Sequence, residues 1–64
     1  MNGNELKEAR LTLGLTQLEL ACKLGYRGKN MKEQVQRMEL DQRPVMPKKL
    51  VIIERLLKEH GYEN

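Results

Sequence analysis

Lys32, Glu33, Gln36 and Arg37 stand at positions i, i+1, i+4 and i+5. On a helix these share one face. Two cations, a carboxylate and a carboxamide side by side are groups that can meet base edges. Lys32 and Arg37 can donate to guanine O6 and N7, Gln36 can address adenine, and Glu33 can accept from cytosine N4. A solvated helix face has the same composition, so the pattern alone leaves recognition and plain solvation both open. Other chemistry lacks its parts. One Cys and one His are too few for a protein-only zinc site and offer little for nucleophilic catalysis. Gly25 and Gly28 are an isolated pair, not a phosphate cradle. The expectation is a protein that is not an enzyme and takes no cofactor, metal or small-molecule substrate.

Local signals define the helices that would position that face. Leu6, Ala9 and Leu13 repeat at three and four, Asn2 and Glu5 are spaced as a capping box, and Gly14 suits a helix end, which predicts a helix over 3–13. Thr16 and Glu19 form a second box, with Leu15 and Leu20 placed as a hydrophobic staple, and the helix runs over 17–24. Leu20, Ala21 and Leu24 give its inner face, and the small Ala21 lets a neighbouring helix come close. Leu18 and Cys22 face away from the core, with Tyr26 as a candidate cover. Tyr26 to Asn30 has no periodicity and reads as a turn. Asn30 and Glu33 make a third box, and Met31, Val35 and Met38 set a helix over 31–40. Pro44 should end it, because the residue before a proline is pushed out of the helical region. Pro47 suits a first helical position, and Leu50, Ile53 and Leu57 give the last inner stripe over 47–60. The expected fold is all-α, with four helices.

Size and composition agree. The chain has 64 residues and forms a single domain over 1–64. A domain this small buries about 60% of its unfolded surface. Charged residues are 33%, aromatic residues 3%, and Phe and Trp are absent, which argues against a sandwich or barrel. The longest aliphatic run, Leu50–Ile53, is far short of the ~20 residues of a membrane span. The start has no apolar leader region. Cys22, alone, cannot close an internal disulfide, which fits a reducing, cytoplasmic setting. Net charge is +3, unevenly spread: residues 1–22 net −1, residues 23–43 net +3 and the remainder +1. A basic middle third suits a polyanion; on charge alone an ordinary solvated surface suits it equally.

The assembled string is more specific. Leu6, Ala9, Arg10, the run Leu13-Gly14-Leu15-Thr16-Gln17, then Glu19-Leu20-Ala21, Lys23-Leu24-Gly25 resembles the first two helices of the Cro/phage-repressor (XRE-like) helix-turn-helix family. Val35, Arg37-Met38-Glu39 and Arg43-Pro44 are similar to that family's recognition helix and its exit. The resemblance spans residues 4–57. Between Gly25 and Glu39 the chain is about four residues longer than the usual family spacing, the surplus lying in Arg27 to Asn30.

The resemblance implies a lambda-repressor-like domain of four to five helices, with the second and third forming the helix-turn-helix. It implies base contacts from Lys32, Glu33, Gln36 and Arg37, and phosphate contacts from Gln17, Gln42 and Arg43. Arg27 and Lys29, in the longer turn, are further candidates for phosphate. It also implies a structural ion pair between Arg10 and Glu39. Val45, Met46, Val51, Ile52 and Leu56 exceed what one inner stripe needs, which predicts a homodimer reading an inverted-repeat operator; a slightly apolar monomer is the plain alternative. The implied function is a sequence-specific double-stranded DNA-binding regulator, an autoregulating repressor of a phage, plasmid or other mobile-element operon. The rival is a protein-interaction module, antitoxin-like or polymerase-binding, that uses the same basic face. RNA binding is disfavoured by the lack of stacking aromatics.

Overall fold

The computed structural model describes residues 1–61. Their regular structure is four helices: α1 (Gly3–Thr12), α2 (Gln17–Lys23), α3 (Met31–Glu39) and α4 (Pro47–Gly61), with no strand among the described residues. Two of the three expected caps form. The Asn2 side chain accepts the Glu5 N–H and the Glu5 carboxylate accepts the Asn2 N–H, both at 2.8 Å. Thr16 and Glu19 repeat this reciprocity before α2 at 3.1 and 2.8 Å. Such bonds satisfy amides that the first turn of a helix leaves without partners.

The third cap does not form. Asn30 makes no side-chain bond to the start of α3, and its backbone (φ −99°, ψ 16°) is not the extended conformation of the other two caps. Glu33 turns forward to Arg37 instead of back to Asn30.

The first three helices end one residue earlier than periodicity predicts. Leu13, Leu24 and Leu40 are each the closing cap residue, not part of the helix. Each is followed by a residue in the left-handed region: Gly14, Gly25 and, at φ 62°, Asp41. After α3 the Asp41 N–H donates to the Met38 carbonyl at 3.2 Å and the Gln42 N–H to the Arg37 carbonyl at 2.9 Å. This paired closure terminates the helix, so Pro44 lies beyond the stop and does not cause it. Asp is among the few non-glycine types that take this conformation at all often, as single residues. α4 runs one residue past its expected end.

α2 packs on α3, and α1 packs on α3 and α4. The core takes Leu6 and Ala9 from α1, Leu20 and Ala21 from α2 with Leu24 at its cap, Val35 and Met38 from α3, and Ile53 from α4. α1 comes very close to α3 at Gly3, which is buried. A Cβ there would stand 2.7 Å from the Met38 carbonyl oxygen and closer still to the Glu39 carbonyl. The Gly3 N–H donates to Asp41 Oδ1 at 2.7 Å. The start of α1 is thus seated on the end of α3.

α4 reaches back to the turn after α2. Lys49 Nζ donates to the Leu24 carbonyl at 2.9 Å and lies 4.6 Å from the centroid of the Tyr26 ring. Tyr26 packs against the core, while Leu18 and Cys22 are exposed. The expected apolar surplus is smaller than five residues. Val45, Ile52 and Leu56 are half-buried against the core of the same chain. Only Met46 and Val51 stand out, 56% and 63% exposed. No helix among the described residues is long and apolar enough to cross a membrane.

Candidate nucleic-acid interface

α3 buries Val35 and Met38 and leaves Lys32, Gln36 and Arg37 in solvent. At 3.6 residues per turn, each step along a helix turns about 100°. Around α3 the order is therefore Lys32, Gln36, Glu33, Arg37, an arc of about 140°. Arg37 Nη2 donates to Glu33 Oε2 at 3.1 Å, and both side chains are about half exposed. A pair of this kind contributes only ~0.3–0.5 kcal/mol. It fixes a resting direction for Arg37 without locking it. Lys32 and Gln36 make no side-chain hydrogen bond among the described residues.

A part-buried network lies under the same side of the molecule. Arg10 Nε donates to Glu39 Oε2 at 2.6 Å and Arg10 Nη2 to Oε1 at 3.4 Å, with side chains only 12% and 6% exposed. Arg10 Nη1 donates to the Leu15 carbonyl at 3.0 Å. Gln17 Nε2 donates to Glu39 Oε1 at 3.0 Å. The carboxylate thus joins α1, the start of α2 and the end of α3. A carboxylate only accepts, so it must face the amide nitrogen of Gln17, and that fixes which way round the amide sits.

Gln17 also borders two open depressions of about 380 Å³ each. One is shared with Thr16, Leu18 and Lys32. The other is shared with Asn4, Lys7, Gln36 and Leu40. The remaining candidates lie at the two ends of α3. Arg27 and Lys29 are exposed in the turn before it. Gln42 and Arg43 are exposed after it, and Arg43 Nη1 donates to Gln34 Oε1.

Lys7 and Asn4 lie on the polar side of α1, where the apolar periodicity of the sequence carries no signal. Their spacing, three residues on the polar side of a predicted helix, was the available signal. Nothing in the spacing told which neighbour that side would meet. No group of three or more His, Cys, Asp or Glu side chains able to hold a metal ion occurs among the described residues. Compared with family models, curated proteins and solved structures, the chain matched none of them.

Proposed function

We propose that this protein is a sequence-specific double-stranded DNA-binding regulator, with α2 and α3 forming a helix-turn-helix and α3 entering the major groove. The observation that carries the reading is the exposed face of α3. Lys32, Gln36, Glu33 and Arg37 lie together on it, while Val35 and Met38 hold the helix against the core. A helix about 10–12 Å across fits a groove about 12 Å wide. Those four side chains read bases or flank them, and Gln17, Arg27, Lys29, Gln42 and Arg43 hold the backbone around them.

The motif from Leu13 to Gly25 resembles that of small repressors of phages, plasmids and other mobile elements, so the regulator is taken to repress its own operon. A homodimer would place two copies of α3 about one helical turn apart on an inverted repeat.

Fluorescence anisotropy against the duplex just upstream of the protein's own gene, with a scrambled duplex as control near physiological salt, tests this. A preference of roughly a thousandfold is expected of a specific autoregulator. Equal, weak binding to both overturns autoregulation. Absence of any duplex binding overturns the DNA reading and favours a protein partner for the α3 face.

A further inference from the structure

We infer that Lys7, Gln17 and Lys32 form one backbone-phosphate strip across α1, α2 and α3, so that Lys32 positions the protein on DNA and does not read a base. The inference rests on the DNA-binding reading and departs from the role the family resemblance gives Lys32.

Three observations lead to it. First, Lys32 stands at the edge of the α3 face, not in its middle. The side opposite the buried Val35 and Met38 is centred on Glu33, with Gln36 and Arg37 about 50° to either side of the outward direction and Lys32 about 90° from it. A helix seated in a groove directs the middle of its outer face to the base edges and its flanks to the walls, where the phosphates are. Second, Lys32 shares its depression with Thr16 and Gln17. On the other side of Gln17, Lys7 shares the second depression with Asn4 and Gln36. Gln17 borders both, so the three donors follow one another along a single side of α3. Third, the two lysines are free. Neither lies within 4.0 Å of a carboxylate among the described residues, where the ion pairs are Arg10–Glu39 and Arg37–Glu33. The carboxylates bordering the Lys7 depression are already engaged: Glu39 by Arg10 and Gln17, Asp41 by the Gly3 N–H.

Gln17 contributes a donor. Its amide nitrogen has two hydrogens, one of which is held by Glu39. The second remains a donor without a partner among the described residues, on a side chain that borders both depressions. A phosphate oxygen is an acceptor for it, and lysine is a point-charge partner for phosphate that carries no sequence information.

The test uses the full chain, its Lys7→Ala, Lys32→Ala and Arg37→Ala variants, a mixed-sequence DNA duplex, an RNA duplex of the same sequence, and a randomised DNA pool. Affinity is measured from about 50 to 200 mM salt, and the preferred motif is selected from the pool. One phosphate contact contributes about 0.9 to the salt slope. Each lysine variant is therefore expected to lose about 3.5-fold less affinity across that range than the parent protein. Both should select the parent's motif, whereas Arg37→Ala should relax it. Circular dichroism melting confirms that the variants fold. An unchanged salt slope in either lysine variant overturns the strip. A changed motif with Lys32→Ala returns Lys32 to base reading. A slope change seen only with the RNA duplex assigns the strip to RNA and overturns it for DNA. If the parent chain binds no duplex, the DNA-binding reading fails first, and that result is distinct from the other three.

Discussion

The Gly3 N–H donates to Asp41 Oδ1 at 2.7 Å, joining the first residue of α1 to the residue that closes α3. Both ends of this contact are unusual locally. Gly3 opens a helix, where glycine is a poorer helix former than alanine, and Asp41 sits at φ 62°. Each makes sense through the other. Only a residue without Cβ can rest on the Met38 and Glu39 carbonyls, and a carboxylate at a helix start suits the free amides and the helix dipole.

Gly3→Ala should therefore destabilise the fold although alanine is the better helix former. The obstacle is backbone carbonyl, not a flexible side chain, so α1 must move. A loss of about 1–3 kcal/mol is expected from overpacking. Asp41→Ala should cost about 1–3 kcal/mol through the unpaired Gly3 N–H, and Asp41→Asn less, because an amide oxygen still accepts. Urea denaturation of the three variants checks the order. Gly3→Ala more stable than the parent chain would exclude the close approach.

Arg10 and Glu39 form a largely covered ion pair, with side chains 12% and 6% exposed. Removing one partner leaves the other charged and largely out of water, a loss of about 3–5 kcal/mol. A domain of 64 residues has only about 3–10 kcal/mol in total, so Arg10→Met or Glu39→Leu should bring the chain close to unfolding. Arg10→Met with Glu39→Leu together should cost less than the two singles added, since no unmatched charge remains. A double-mutant cycle by chemical denaturation measures this. Singles that each cost under about 1 kcal/mol would mark the pair as solvent-screened.

Much of this was legible. Capping residues and left-handed glycines act within one turn of chain, so Asn2, Thr16, Gly14 and Gly25 announced themselves by spacing. Asn30 carried the same signal as Thr16 and formed no cap, because its backbone (φ −99°, ψ 16°) is not the extended conformation that aims a capping side chain at the first-turn amides, and the Glu33 carboxylate that would return the bond is taken by Arg37. Local pattern offered both partners to Glu33 and could not choose between them. Gly3, Asp41 and Lys49 were illegible for another reason: their roles join residues 25 to 38 positions apart, and such contacts exist only after the helices are assembled. The same holds for Gln17. Its position at the start of α2 was plain, but its bond to Glu39 follows from how α2 and α3 pack. Val45, Ile52 and Leu56 looked surplus because one stripe was counted for α4, whereas the segment before α4 and a second stripe also face the core.

Lys49 holds the turn between α2 and α3 from outside. Its ammonium satisfies the Leu24 carbonyl at the end of α2 and lies over the Tyr26 ring. Lys49→Met keeps most of the aliphatic stem and removes both interactions. A loss of about 1–3 kcal/mol is expected, combining a charged hydrogen bond with an exposed cation–π contact. Amide exchange at Gly25 and Tyr26 should accelerate more than at Val35. Uniform acceleration would mean that Lys49 supports the whole fold and not the turn.

Self-association, if it uses α4, must centre on Met46 and Val51, the two apolar side chains of the predicted patch that remain well exposed. Sedimentation at micromolar concentration should then give about twice the 7.5 kDa chain mass, and Val51→Glu should return it to one, because a buried unpaired carboxylate opposes association. A 7.5 kDa species for the parent chain would exclude the dimer.

Arg37 decides what the α3 face is for. Held by Glu33 at 3.1 Å, it keeps guanidinium donors free for the guanine contact proposed for it, and a good bidentate contact discriminates against other bases by about 1–3 kcal/mol. Arg37→Ala should thus reduce binding to the preferred duplex by roughly ten- to a hundredfold while changing binding to a scrambled duplex far less. Glu33→Gln separates the two roles of Glu33: loss of the weak, exposed pair alone should change binding little, whereas a larger loss with a relaxed motif would mark Glu33 as reading a base. Equal losses on both duplexes would make Arg37 one more phosphate contact. Unchanged DNA binding by Lys32→Ala with Arg37→Ala, together with loss of an acidic protein partner, would give the face to protein recognition.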